Sequence, residues 1–225
     1  QKDMTQTVIF ATVQSISKDL EKFSPTDFDY LIVDECHHAA ANTYQKIFTY
    51  FHPKFILGLT ATPERSDGED MLELFQNVAH KMDLKTAVER GVLVPIRCIW
   101  VKTNIDLTDV RINGIKYNSQ DLESKLFIPE RNQLIVDTYL KYVNGKKTVI
   151  FCASVDHAAE IAKLLRDSGV KAEAVSGRDR VEAREKILKD YETGSTNVLC
   201  ACDLLNEGWD SPHTTVLFMA RPTMS

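Results

Sequence analysis

At 225 residues the chain can hold one large domain or two small ones, and its 44% hydrophobic and 26% charged content is that of an ordinary soluble globular protein. A net charge of −5 provides no global attraction to nucleic acid, so any such binding must use local surfaces. No apolar run approaches the length of a membrane span, no signal-peptide pattern opens the chain, and five cysteines without a CxxC framework imply reduced thiols in a cytoplasmic setting. Gln1 at the start implies a fragment or a processed product.

Thr7 to Val13 is β-branched and apolar, which predicts a buried strand, with a short helix to about Phe23. Ser24-Pro25-Thr26-Asp27 predicts a turn before a second strand, Tyr30 to Val33. Asn42 is placed to cap a helix that presents Tyr44, Ile47, Phe48 and Phe51 on one face, ended by His52-Pro53. Phe55 to Thr60 is a third buried strand, running into Ala61-Thr62-Pro63. The alternation of strand and helix argues for a parallel sheet with crossovers. Glu64 to Asp70 is a charged connector, Leu72 to Leu93 is mainly helical with Gly91 as its stop, and Pro95 to Val101 is predicted as another strand. Within 104–130, Asn113-Gly114 carries the signature of a tight hairpin, in a linker or an insertion.

A second α/β unit follows. Leu134, Ile135, Thr138, Tyr139, Tyr142 and Val143 form an amphipathic stripe closed by Asn144-Gly145. Strands are predicted at Thr148–Ala153, Ala172–Val175, Asn197–Cys202 and Thr214–Ala220, with helices at Asp156–Asp167 and Val181–Glu192. Cys200 and Cys202 share a strand face and read as core residues, and His157 reads as a helix surface residue.

The stretch with the most chemistry is Tyr30-Leu31-Ile32-Val33-Asp34-Glu35-Cys36-His37-His38. An apolar strand runs straight into two carboxylates, at the end of the strand where ligands of such sheets bind. Two neighbouring acids there can divide the work of phosphoryl transfer, one holding Mg²⁺ and one orienting the attacking water. An acidic turn without function is the plain alternative. A metal site made of five consecutive residues is disfavoured, because ligands need spacers to converge on one ion.

No Gly-x-x-x-x-Gly-Lys-Ser/Thr loop occurs. Gly145-Lys146-Lys147-Thr148 resembles part of one but joins a helix to a strand, the reverse of the required order. Ser154, Asp156 and His157 hold the atoms of a hydrolytic triad but are crowded together in sequence and lack a nucleophile elbow.

With these pieces in order the chain resembles superfamily-two helicases and translocases. Asp34-Glu35-Cys36-His37 resembles motif II, the DEAD/DEAH-type box. Thr60-Ala61-Thr62 resembles motif III, and Ala11-Thr12-Val13-Gln14-Ser15 resembles motif Ib. Val149 to Ser154 resembles motif IV, Cys202 to Asp210 resembles motif V, and Arg221-Pro222-Thr223 resembles the lead-in to motif VI. Leu57 to Arg65 is most similar to the DNA-directed branch of restriction-enzyme motor subunits and repair translocases. Cys202 stands where motif V normally opens with Thr. Motif I is expected before residue 1 and the rest of motif VI after Ser225.

The resemblance implies an α/β fold with two tandem RecA-like domains of mainly parallel sheets, the first incomplete at its N-terminus and the second at its C-terminus. It divides the chain into 1–78, a connector at 79–130, and 131–225. ATP and Mg²⁺ are the implied cofactors, bound in a cleft between the domains. Nucleic acid is the implied partner, DNA ahead of RNA, with no membrane and with partner subunits left open. Asp34 would hold Mg²⁺ through water, Glu35 would activate the attacking water, and His37 would link the nucleotide to the second domain. Thr60 and Thr62 would relay closure, and Gly208 and Asp210 would meet the nucleotide. Thr12, Gln14, Ser154, Ser176 and Gly177 are candidate nucleic-acid contacts, weighed against roles in local turns. Arg184, among alternating helix charges, reads as structural. Without motifs I and VI the 225 residues alone are expected to hydrolyse no ATP. The first domain is expected to have an unpaired sheet edge and to be the less stable of the two.

Overall fold

A computed structural model describes residues 6–39, 41–62, 75–102, 112–113, 116–117, 128–205 and 208–221. The chain divides into two compact units, Gln1–Arg97 and Cys98–Ser225.

The first unit contains α1 (Val13–Ile16), β1 (Tyr30–Val33), α2 (Asn42–Tyr50), β2 (Phe55–Gly58) and α3 (Leu84–Glu89). β1 and β2 pair in parallel, from Tyr30 opposite Phe55 to Val33 opposite Gly58. Its core is a group of aromatic rings. Phe23, Phe28 and Phe51 meet in tilted and edge-on contacts with centroids 5.2–6.1 Å apart, and Ile47 of α2 and Leu31 of β1 pack against them. Tyr50 closes the cluster by donating its hydroxyl to the Phe23 carbonyl at 2.6 Å.

Several expectations for this unit are overturned. Thr7 to Val13 is not a strand: α1 starts at Val13, residues 9–12 are irregular, and Phe10 is 95% exposed. β-branched residues favour a strand only where neighbours offer a pleated, half-buried surface, and no described strand pairs with this stretch. β1 is not buried on both faces. Tyr30 and Ile32 are 70% and 65% exposed, whereas Leu31 faces the aromatic core. Asn42 is the first residue of α2 rather than its cap; Ala41 sits at the cap, with no side-chain hydrogen bond. Of the helix expected over 72–93, Phe75 is helical, residues 76–83 are not, and a helix forms at Leu84–Glu89, where Asp83 Oδ1 accepts the Thr86 amide at 2.7 Å and that bond holds the Asp83 carboxyl below its ordinary range. Pro95 to Val101 is exposed and irregular, and no described strand pairs with it to complete a ladder. The connector at 64–70 lies outside the described residues.

The second unit has β3 (Ile112–Asn113), β4 (Lys116–Tyr117), α4 (Pro129–Tyr142), β5 (Thr148–Phe151), α5 (Val155–Asp167), β6 (Ala172–Val175), α6 (Val181–Thr193), β7 (Val198–Ala201) and β8 (Val216–Met219). β3 and β4 form the expected antiparallel hairpin, Ile112 opposite Tyr117. The main sheet is parallel, in the order β6-β7-β5-β8. Alternate residues of its central strands supply two cores. Ile150 and Cys200 meet Val136 and Tyr139 of α4 and Ile161 and Leu165 of α5. Val149 and Leu199 pack with Tyr191 of α6 on the other face. Continuous apolar runs such as Val198-Leu199-Cys200-Ala201 follow from burial on both faces. Gly194 closes α6 at φ +90°, a conformation that disfavours any side chain.

Three readings in this unit need correction. The buried line of α4 is Asn132, Val136 and Tyr139, and Tyr142 is exposed. Cys202 lies beyond β7 and is half-buried, in contrast to the fully buried Cys200. His157 is not on the surface but 1% exposed. Its Nδ1 accepts the Ala153 amide at 3.2 Å, and its Nε2 lies 3.1 Å from Asn132 Oδ1. Both ring nitrogens are therefore satisfied inside, which makes burial of this polar ring tolerable.

Candidate functional site

β1 ends in a turn that reverses at Glu35, whose backbone is left-handed (φ 49°, ψ 44°). A non-glycine residue in that region costs on the order of 1–3 kcal/mol and persists only where its surroundings hold it. Here several bonds do so. Asp34 Oδ1 accepts the Glu35 amide at 3.0 Å. The Leu59 amide donates to the Val33 carbonyl and the Cys36 amide to the Leu59 carbonyl, both at 2.9 Å. These two bonds carry the β1–β2 ladder past the strand ends and fix the two motif-bearing turns against each other.

Packing beneath the turn adds to this. Cys36 is buried, and burial pushes its thiol up. A Cβ on Gly58 would lie 2.7 Å from Phe75 Cε1 and 2.9 Å from Cys36 Sγ. Gly58→Ala is therefore expected to destabilise the first unit by about 1–3 kcal/mol. Gly177→Ala, where a Cβ meets nothing within 4 Å, is the control. Urea denaturation of the two variants checks this, and equal midpoints would contradict the close packing. Gly58 and Cys36 escaped sequence reading, although a glycine inside a strand pattern is a known sign of close approach.

Above the turn, His37 Nδ1 lies 3.1 Å from Thr60 Oγ1 and 3.3 Å from Glu35 Oε2. The Thr62 amide donates to Thr60 Oγ1 at 3.0 Å. Glu35, His37, Thr60 and Thr62 thus form one connected group. Asp34 is exposed beside them. The described residues contain no cluster of three or more His, Cys, Asp or Glu side chains able to hold a metal. A single exposed carboxylate suits Mg²⁺, which keeps several waters and takes one or two protein ligands along with substrate phosphates.

The remaining candidates stand elsewhere. Thr12 and Gln14 are exposed at the start of α1, where Thr12 Oγ1 accepts the Ser15 amide at 3.2 Å. Ser154 caps α5 by accepting the His157 amide at 3.1 Å. Ser176 is buried and donates from its amide and hydroxyl to Asp179 Oδ2 at 2.6 and 3.2 Å, while Gly177 is exposed. Gly208, at φ +70°, and Asp210 are both exposed in the segment after β7.

The family described as type III restriction enzyme, res subunit, matches residues 1–65, and the helicase conserved C-terminal domain matches residues 130–225. The chain is 27% identical over 227 residues to the IRC3 protein of Saccharomyces cerevisiae, provisionally named an ATP-dependent helicase, covering 97% of this chain and 33% of that protein. It is 30% identical over 200 residues to the type I restriction enzyme EcoAI endonuclease subunit of Escherichia coli, covering 80% of this chain and 24% of that one. A solved fragment assigned to the HsdR subunit of a type I restriction enzyme from Vibrio vulnificus superposes with a TM-score of 0.72 at 26% identity, over 93% of this chain and 40% of that one. The chain belongs to superfamily two of the helicases, with the α/β, RecA-like fold of that class. Within it, the chain is similar to the restriction-enzyme subunits. It spans less than half the length of the curated relatives it matches.

Proposed function

We propose that the chain is the motor portion of an ATP-dependent DNA helicase or translocase that couples Mg-ATP hydrolysis to movement on nucleic acid. The observation that supports this best is the Glu35–His37–Thr60 group at the joined ends of β1 and β2. Bound Mg²⁺ would screen the phosphates and polarise them toward attack. Asp34 would hold that ion through water. Glu35 accepts the proton of the attacking water, and its strained backbone keeps the carboxylate at the strand end. His37 and Thr60 connect that carboxylate to the β2 end, and Thr62 braces Thr60. Gly208 and Asp210 supply further nucleotide contacts. Thr12, Gln14, Ser154, Ser176 and Gly177 serve the nucleic-acid backbone. Residues 1–78 and 131–225 are the two motor domains, with 79–130 between them. Similarity to a type I restriction subunit favours DNA. Among the described residues no helix is long and apolar enough to cross a membrane.

The sequence has no phosphate-cradling glycine loop, so the 225 residues alone turn over no ATP. Phosphate release, measured for this chain and for the chain with any flanking coding sequence, tests both statements. DNA, more than RNA, stimulates the longer protein, and the 225 residues stay silent. A longer protein that ignores both nucleic acids would sink the motor reading.

A further inference from the structure

A polar fastening joins the carboxyl ends of β7 and β8. Asp203 follows β7 with a left-handed backbone, φ +60°. Its Oδ1 accepts Arg221 Nη1, and the Cys202 thiol donates toward its Oδ2 at 3.6 Å. Burial first, and the Asp203 charge second, push that thiol up to about 11, so it remains a donor at neutral pH. Arg221 follows β8 and starts from a fixed point. The neighbouring Ala220 donates its amide to the Phe151 carbonyl at 2.9 Å, and its own carbonyl accepts Arg131 Nη2 of α4 at 2.7 Å. The Arg221 side chain is 23% exposed and that of Asp203 is 71% exposed, so the arginine is the post and the aspartate the moving partner.

We infer that Arg221 is a positioning residue that latches the loop after β7 through Asp203, and so sets the segment carrying Gly208 and Asp210 for nucleotide; this rests on the function proposed above. Ligands of parallel α/β sheets bind beyond these strand ends. An ion pair with one exposed partner adds little to global stability, so its effect is local. It holds a loop in which Asp203 occupies a backbone state that needs holding. Asparagine tolerates the left-handed region about as well as aspartate, so Asp203→Asn removes the charge and keeps the turn.

Hydrogen exchange of the chain with any flanking coding sequence, with and without Mg-ATP, tests the latch. Asp203→Asn and Arg221→Gln should each speed amide exchange at residues 202–205 and 208–210 by about five-fold, with the urea midpoint unmoved. Mg-ATP should bind these variants about five-fold more weakly than wild type. Arg221→Lys should recover most of both effects. Unchanged exchange in both variants, or acceleration spread evenly over the second unit, overturns the latch. If one variant fails to fold, the other decides. A longer wild type that binds no Mg-ATP in equilibrium dialysis defeats the nucleotide reading, while loop exchange still decides whether the fastening exists.

Discussion

Replacing Glu35 with glutamine is expected to lower ATP turnover by the motor-competent protein by about 10²–10⁴-fold, the range attributable to a positioned general base. Nucleotide affinity should hardly change. Glutamine keeps the size of the side chain and one acceptor oxygen, so the turn at the end of β1 survives: its restraints come from Asp34, Cys36 and Leu59, not from the Glu35 carboxylate. On the function proposed, what disappears is the site for the proton of the attacking water. Single-turnover hydrolysis should show the loss in the chemical step, and a Kd for Mg-ATP within about two-fold of wild type would localise it there. Turnover that persists at a tenth of wild type or more would remove Glu35 from the base role.

The second large effect concerns stability. Burial, and then the nearby Arg131 charge, lower the His157 pKa to about 4. An unfolded chain holds the same ring near 6.5. Between these values the unfolded state binds more protons, so stability rises with pH. The contribution is complete above pH 6.5 and is lost as pH falls through 4. The gap corresponds to about 3 kcal/mol. His157→Leu removes this dependence but leaves the Asn132 side chain and the Ala153 amide short of a partner, at a cost of about 1–3 kcal/mol at pH 7. Wild type and variant should therefore differ most near pH 7 and converge toward pH 4. Denaturant titrations at the two pH values measure this, and a constant difference would mean the imidazole does not titrate against burial.

His157 also shows where sequence reading stops. Its position in the first turn of α5 was legible. The fact that Asn132, 25 residues away, would supply a partner inside was not. Pairing between distant polar residues has no local signature. The second unit was otherwise readable because both faces of its central strands are covered, so apolar runs and glycine stops carry the pattern. The first unit was less so. The strand expected at Thr7 to Val13 has the right residues and lacks a described partner strand, and strand propensity depends on such neighbours. At the candidate site the acidic pair was visible as residue types in order. The left-handed turn at Glu35 and the close fit of Gly58 on Phe75 and Cys36 were not, because both arise from tertiary contact.

The placement of His37 has one further consequence. A single nitrogen, Nδ1, stands within reach of both the Thr60 hydroxyl and the Glu35 carboxylate. That atom carries either a proton or a lone pair, never both. A carboxylate can only accept, so Glu35 is held when Nδ1 is protonated; with a lone pair there, the ring instead takes the proton of the Thr60 hydroxyl and offers Glu35 nothing. The proton on that one nitrogen therefore decides whether Glu35 has this hydrogen bond.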